Sequence, residues 1–471
     1  MCSVTKIALT GGPCGGKTTS ISILEQQLTN KGYKVFVVEE MATNVINSGA
    51  SPMTIGNNAF QKILAKTQLS RNEAYVEMAE NYSKEHNQDV VIIFDRGIPD
   101  SKGFMSDEEY NSLLSELNID NIKVLDFYDG VFHLVTAADG AEEFYTCENN
   151  SARTETPEQA RERDRGCMRA WTGHPHLRVI TNNCSFEKKI DNLLEEVYSL
   201  LGVPVPVEIE RKYLIEMPNM SELTKKYDCT TVDIIQTYLV KKEDGIERRI
   251  RQRGVNGSYT FYYTEKQKID SISRTEVERK ISEKEYLILM TEADTTLHQI
   301  RKNRTCFVCN GTYFELDVYP FWSDKAILEV ELTEESKTVK LPEEIKLIKE
   351  VTEDDRYKNS SLAKSTDIEQ VETVSKFNRD QRREVFSKTF GVCAHCGKKL
   401  NIRDFTVDHY IPISKGGGNQ MINLIPLCEE CNVAKDNIIM EPSIAYPYLG
   451  EMYLKQLEVL YKKQRKIKNR T

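Results

Sequence analysis

The chain has 471 residues, 39% hydrophobic and 29% charged, a balance of globular protein that excludes both a disordered and a membrane-embedded chain. No run approaches the ~18 apolar residues of a spanning helix, and the apolar part of Met1 to Gly12 is too short for a signal peptide. The expectation is a cytoplasmic protein with no membrane partner and, at this length, about three domains. The net charge of −9 is uneven: residues 376–471 hold 17 Lys and Arg against 10 Asp and Glu, a net of +7, leaving −16 on the rest. A basic end on an acidic body points to a polyanion partner there, or to a plain solvated tail.

The first predicted domain covers residues 1–203. Apolar runs at Ile7–Leu9, Val35–Val38, Val90–Phe94, Val131–Val135 and Val179–Ile180 alternate with helical spacing, an α/β pattern with a mostly parallel sheet. Gly11, Gly12, Pro13, Cys14, Gly15, Gly16, Lys17 and Thr18 match G-x-x-x-x-G-K-[ST] in full, between a predicted strand and a predicted helix. Glycines let backbone N–H groups turn inward around phosphates, Lys17 reaches the outer phosphates, and Thr18 holds Mg²⁺. Asp95 ends a later apolar strand and is the second Mg²⁺ candidate. Arg96-Gly97 follows it, where motor ATPases carry a water-activating Glu. Glu39 and Glu40 end the preceding strand. The segment resembles P-loop nucleoside and nucleotide kinases and kinase-like AAA domains with a D-R-G strand end. That resemblance implies ATP or GTP binding, with Glu39 or Glu40 as a substrate or base carboxylate. Arg153, Arg161, Arg163 and Arg165 read either as a kinase lid or as a solvated helix face.

Gly202–Pro206 reads as a linker, and a second domain is predicted over 207–366. Its short runs alternate with period two, as in Glu208-Ile209-Glu210, Arg249-Ile250-Arg251 and Glu329-Val330-Glu331, which puts the charged members on one face. Such a face meets solvent or lines a charged barrel interior. Glu208, Glu210 and Lys212 form E-x-E-x-K. Gln236 to Leu239, Arg249 and Arg251, Lys266 and Lys268, Glu276 and Glu278, Lys302 and Arg304, Asp317, and Glu329 and Glu331 follow in order. The set resembles the CYTH family, the triphosphate tunnel metalloenzymes, and so implies an antiparallel β-barrel that cleaves, cyclises or senses a triphosphate. A triphosphate carries about four negative charges, so cations must line its path. Lys212, Arg249, Arg251, Lys266 and Arg304 are the phosphate candidates. A hard Mg²⁺ or Mn²⁺ wants carboxylates, here Glu208, Glu210, Asp317, Glu329 and Glu331, with Glu276 and Glu278 in support. Cys306 and Cys309 read as ordinary strand residues.

The third predicted domain covers 376–471. Cys393 and Cys396 pair with Cys428 and Cys431 as C-x₂-C-x₃₁-C-x₂-C, the spacing of a structural Zn²⁺ site whose binding energy helps fold a thin core. Between the pairs lie Asp408-His409, Gly416–Gly418 and Asn423; Asn432 and Lys435 follow. The pattern resembles the HNH endonucleases of the ββα-metal fold; a zinc-ribbon binding module is the other reading. The resemblance implies that His409 activates water, Asn423 orients its ring, and Asp408 with Asn432 holds catalytic Mg²⁺ or Mn²⁺. The basic stretch Lys462–Lys468 is expected to touch nucleic-acid backbone. Three functions remain open at this stage. One is a nuclease acting on DNA under nucleotide control, an architecture analogous to phage defence. The second is a nucleotide or cofactor kinase or triphosphatase with an accessory nuclease. The third is 5′-triphosphate end processing of nucleic acid. The oligomeric state is left open.

Overall fold

The computed structural model describes residues 3–145, 156–203, 209–241, 246–255, 258–268, 274–294, 296–332, 338–364, 377, 379–410, 412, 423–436 and 438–439. Of the expected functional residues, Arg153, Glu208 and the basic stretch Lys462–Lys468 lie outside these. So do Gly416–Gly418, and the side chains of Lys268 and Glu276.

The chain packs as two compact units. One comprises residues 1–231, 305–316 and 327–350, the other 232–304, 317–326 and 351–471. The first holds a five-stranded sheet of β1 (Val4–Thr10), β2 (Lys34–Val38), β3 (Val90–Asp95), β4 (Gly130–Leu134) and β5 (Leu177–Ile180), in the order β2-β3-β1-β4-β5. All four pairings are parallel. Ile7, Leu9, Val91, Ile93, Phe132 and Leu134 enter one apolar cluster, while Ala8, Ile92, Phe94 and Val131 enter another. Burial on both faces explains why these strands read as unbroken apolar runs rather than alternating ones. The helices Lys17–Asn30 and Phe186–Leu200 supply Leu24, Leu28, Leu193 and Val197 to the first cluster. β2 and β3 lie on one side of β1, and β4 and β5 on the other. β1 therefore marks the point where ligands bind at the strands' carboxyl ends in such sheets.

The second sheet has nine strands: β6 (Ile209–Glu216), β7 (Thr230–Tyr238), β8 (Ile246–Val255), β9 (Ser258–Lys268), β10 (Arg274–Ile281), β11 (Ile300–Cys309), β12 (Thr312–Val318), β13 (Lys325–Leu332) and β14 (Leu347–Glu350). Their order is β10-β9-β8-β7-β11-β12-β13-β6-β14. The pairings of β7 with β8, β8 with β9, β9 with β10 and β6 with β14 are antiparallel. Of the period-two runs, Ile209-Glu210 begins β6, Arg249–Arg251 lies in β8 and Glu329–Glu331 in β13. Among the described residues the ladder ends at β10 and β14; the expected closure into a barrel is not among the pairings seen.

In the second unit, β15 (Thr406–His409) and β16 (Leu424–Leu427) form an antiparallel pair, followed by the helix Glu429–Lys435. An apolar cluster gathers Cys393, Tyr410, Ile425, Leu427, Cys428 and Cys431 with Ile250, Phe261, Tyr286 and Met290 of the charged-strand segment. No described helix is long and apolar enough to cross a membrane.

Candidate functional site

Three groups of side chains emerge. The first surrounds the loop after β1. Gly11 has φ +131°, and a Cβ there would sit 2.1 Å from the Leu134 carbonyl oxygen; at Gly15 the same oxygen would be 2.6 Å away. Only glycine permits this approach of loop to β4. Lys17 Nζ donates to the Gly11 and Gly12 carbonyls at 3.0 and 2.9 Å, and burial together with Arg96 lowers its pKa. Asp95 is pushed up by burial, and its Oδ1 is buried with no hydrogen-bond partner among the described residues. An orphaned carboxylate oxygen near a phosphate-loop lysine fits an Mg²⁺ partner. Thr18 is exposed on the first helical turn. Of the two glutamates, Glu39 is exposed, whereas Glu40 accepts from Arg96 Nε at 2.8 Å. Against burial that raises it, Arg96 and Lys17 hold the Glu40 carboxyl below its usual range.

The helix Pro157–Trp171 is capped by Thr156 with a reciprocal bond from Gln159. It places Arg161 on the Ala138 carbonyl at 2.6 Å. Arg163 and Arg165 instead line a cavity with Phe104, Glu109 and Arg169. Between them stands Asp164, a contact residue absent from the sequence-based expectations. Its Oδ1 accepts from Gly12 N at 2.6 Å and Thr136 N at 3.1 Å, and its Oδ2 lies 3.1 Å from His133 Nε2. Lys189 is likewise absent from those expectations; it donates to the carbonyls of Gly15 (3.1 Å) and Val135 (2.8 Å) and to Asn182 Oδ1 (2.7 Å). Lys189 was findable, because it shares the buried stripe of Ile190, Leu193 and Val197. Asp164, an acid in a run of arginines, gave no such signal.

The second group lies on the nine-stranded sheet. In the first unit, Lys212 of β6 pairs with Glu210 at 3.0 Å and with Glu329 of β13, which is 4% exposed. Against the burial that lowers it, both carboxylates raise the Lys212 pKa. Glu331, expected beside Glu329, is instead engaged by Arg178 of β5. In the second unit, directly opposed residues share a face. The rows Tyr238–Arg249–Thr264–Glu278 and Gln236–Arg251–Tyr262–Lys280 cross four strands, and Lys266 stands opposite Glu247 in the next row. Arg251 pairs with Glu278 at 2.7 Å and its guanidinium lies 5.0 Å from the Tyr262 ring. Asp317, fully buried, is gripped by Arg304 through two bonds of 2.7 Å and is also paired with Lys302. Both its oxygens are thus occupied by cations. Cys306 and Cys309 are buried strand residues.

The third group is the small β15–β16–helix module. The Sγ atoms of Cys393, Cys396, Cys428 and Cys431 all lie within 4.8 Å of one another. Four converging sulfurs, three of them on buried residues, fit a tetrahedral Zn²⁺. Burial raises the Cys428 and Cys431 thiols, whereas at Cys393 backbone N–H groups outweigh the burial that raises it and bring the thiol to about 7. Asp408 and His409 end β15; Asn423 directly precedes β16, and its carbonyl accepts from Tyr410 N at 2.7 Å. His409 and Asn423 are both buried, and Asn432 sits on the following helix. One turn further on, Lys435 is 1% exposed and its Nζ lies 2.8 Å from Asp408 Oδ2. The oxygen donors of Asp408 and Asn432 suit a hard cation such as Mg²⁺ or Mn²⁺.

An inorganic triphosphatase from Nitrosomonas europaea is 34% identical over 161 residues, which is 34% of this chain and 97% of that protein. The chain belongs to the inorganic triphosphatase family. The chain carries two further domains: residues 6–189 match an AAA domain and residues 393–437 an HNH endonuclease domain. It is a three-domain fusion. A crystal structure of an inorganic triphosphatase aligns over 34% of this chain and 95% of its own, at 29% identity and a TM-score of 0.25. A deoxyadenosine kinase from M. mycoides with bound dATP aligns over 41% of this chain and 100% of its own, at 17% identity and a TM-score of 0.29.

Proposed function

We propose that this protein is a metal-dependent HNH endonuclease that cleaves nucleic acid, DNA foremost, under the control of nucleotide binding and triphosphate processing in its upstream domains. The observation that carries this reading is the module that puts Asp408 and His409 on one strand, Asn423 before the next and Asn432 on the helix, beside four clustered cysteines. His409 takes a proton from the attacking water, the role histidine most often fills in general-base catalysis. Asn423 orients the ring. Asp408 and Asn432 hold Mg²⁺ or Mn²⁺ at the scissile phosphate, and the bound cation supplies charge neutralisation there. The four cysteines hold Zn²⁺ and fix the module's shape.

Upstream, residues 11–18 hold the phosphates of ATP or GTP, with Thr18 and Asp95 on Mg²⁺ and Arg153 and Arg161 in support. In the triphosphatase domain, the charged strands hold the substrate. Lys212, Arg249, Arg251, Lys266 and Arg304 bind its phosphates. Glu208, Glu210, Glu329 and Glu331 hold the divalent ion, and Asp317 fixes Arg304 and Lys302 in place. We take the domain limits as residues 1–203, 207–366 and 376–471, in a cytoplasmic protein, an architecture suited to phage defence.

The deciding experiment is plasmid cleavage with Mg²⁺ or Mn²⁺, with and without ATP, in wild type, Lys17→Ala and His409→Ala. His409→Ala is expected to abolish nicking and leave ATP binding intact; retained nicking refutes the site. Nucleotide dependence lost in Lys17→Ala establishes control, and identical cleavage in that variant and wild type removes it. A second reading is favoured by the likeness of one third of this chain to nearly the whole of an inorganic triphosphatase. It makes a small triphosphate the main substrate, with the nuclease accessory. Phosphate release from tripolyphosphate that is indifferent to DNA and lost in Glu208→Ala and Glu210→Ala supports it. Preference for 5′-triphosphate RNA over free ATP would point to end processing.

A further inference from the structure

Arg178 stands on β5 of the nucleotide-binding sheet, yet its guanidinium reaches a strand of the triphosphatase sheet. Its Nε donates to Glu196 Oε2 at 3.1 Å, and its Nη2 meets Glu331 Oε1 at 2.5 Å. The side chains of Arg178 and Glu196 are 17% and 15% exposed and that of Glu331 is 35% exposed, so the guanidinium is shielded while the Glu331 carboxylate is partly open to solvent. Glu331 stands two residues from Glu329 on β13 and shares its face. Glu329 in turn pairs with Lys212, and Lys212 with Glu210. The same seam is closed independently of charge. Tyr313 Oη donates to the His174 carbonyl at 3.0 Å, and Val308 and Tyr313 pack against the cluster of Trp171, Leu177 and Val131. The ion pair is therefore not what holds the two segments together.

We propose that Arg178 is a positioning residue for the triphosphate site: it holds Glu331 and so sets how far that carboxylate is available to the divalent cation held by Glu210 and Glu329. The proposal rests on the triphosphatase reading of that carboxylate cluster. A divalent cation and a guanidinium compete for the same carboxylate oxygens, and cation affinity follows the negative charge offered to it. Arginine keeps its charge at every working pH, so the restraint is constant and comes from the neighbouring domain.

The test is Mn²⁺ binding to the full-length protein, by calorimetry and by water-proton relaxation, without nucleotide and with Asp408→Asn to silence the nuclease site. Arg178→Met is expected to tighten Mn²⁺ binding about fivefold or more by freeing Glu331. Arg178→Lys, which retains the charge, is expected to return toward wild type. In a Glu331→Gln background, Arg178→Met is expected to change nothing. Unchanged Mn²⁺ affinity in a folded Arg178→Met protein, or the same gain with Glu331→Gln, overturns the proposal. If Arg178→Met misfolds, the Glu196→Gln variant decides: releasing the guanidinium from its other partner is expected to weaken Mn²⁺ binding, and no change overturns the idea. Loss of Mn²⁺ binding in Glu210→Gln and Glu329→Gln separates the two claims. If it persists there, the triphosphatase reading fails; if it is lost there but Arg178→Met is silent, only this inference fails.

Discussion

At the scale of single residues, the phosphate loop shows how far a pattern reaches. Its glycines are legible in sequence because the loop's close approach to β4 leaves no room for a side chain at Gly11 and Gly15; Lys17 and Asp95 are read there from the motif alone. Gly11→Ala is expected to abolish nucleotide binding, since its Cβ would overlap the Leu134 carbonyl oxygen at 2.1 Å; equilibrium ATP binding checks this. Lys189 carries a pH signature. Burial lowers its pKa from 10.5 to about 8, so below pH 8 both folded and unfolded chains hold the proton and its charge is costly to bury. Between about pH 8 and 10.5 the unfolded chain binds more protons, and stability rises with pH. Urea unfolding of wild type against Lys189→Met is expected to show the difference moving in favour of wild type across that window, by on the order of 2–3 kcal/mol.

At the scale of elements, one helix fixes one loop. The helix Pro157–Trp171 holds the phosphate loop through Asp164, whose two oxygens take Gly12 N, Thr136 N and His133 Nε2. Asp164→Ala strands buried donors, each costing about 1–3 kcal/mol. A lower unfolding midpoint and weaker ATP binding are the expected outcomes, measured by thermal melts with and without Mg·ATP. The alternation of β6, β8 and β13 was readable from period two. Which partner each charge takes was not: Asp317 was read as a cation ligand, yet it lies under Arg304 and Lys302, and Glu331 is held by Arg178. A strand's own sequence states which face a residue occupies but not what another strand brings opposite it.

At the scale of the whole molecule, three of the four clustered cysteines, Cys393, Cys428 and Cys431, belong to the same apolar cluster as Ile250, Phe261 and Tyr286. Removing zinc is expected to melt β15, β16 and the following helix and to loosen that shared core. Hydrogen exchange before and after chelation, with recovery on added Zn²⁺, measures it; unchanged protection in both segments would contradict it. By itself the sequence determined the three-part organisation, the parallel sheet, the phosphate loop, the cysteine pairs and the order of charged strands. These follow from local rules: apolar periodicity, glycine's backbone freedom and the fixed spacing of metal ligands. Only the tertiary structure decided that Asp164 and Lys189 hold the phosphate loop, that Lys435 faces Asp408, and that Arg178 reaches Glu331. Those contacts join residues far apart in the chain, and their energies depend on burial and ion-pair distance, which exist only once the chain has folded.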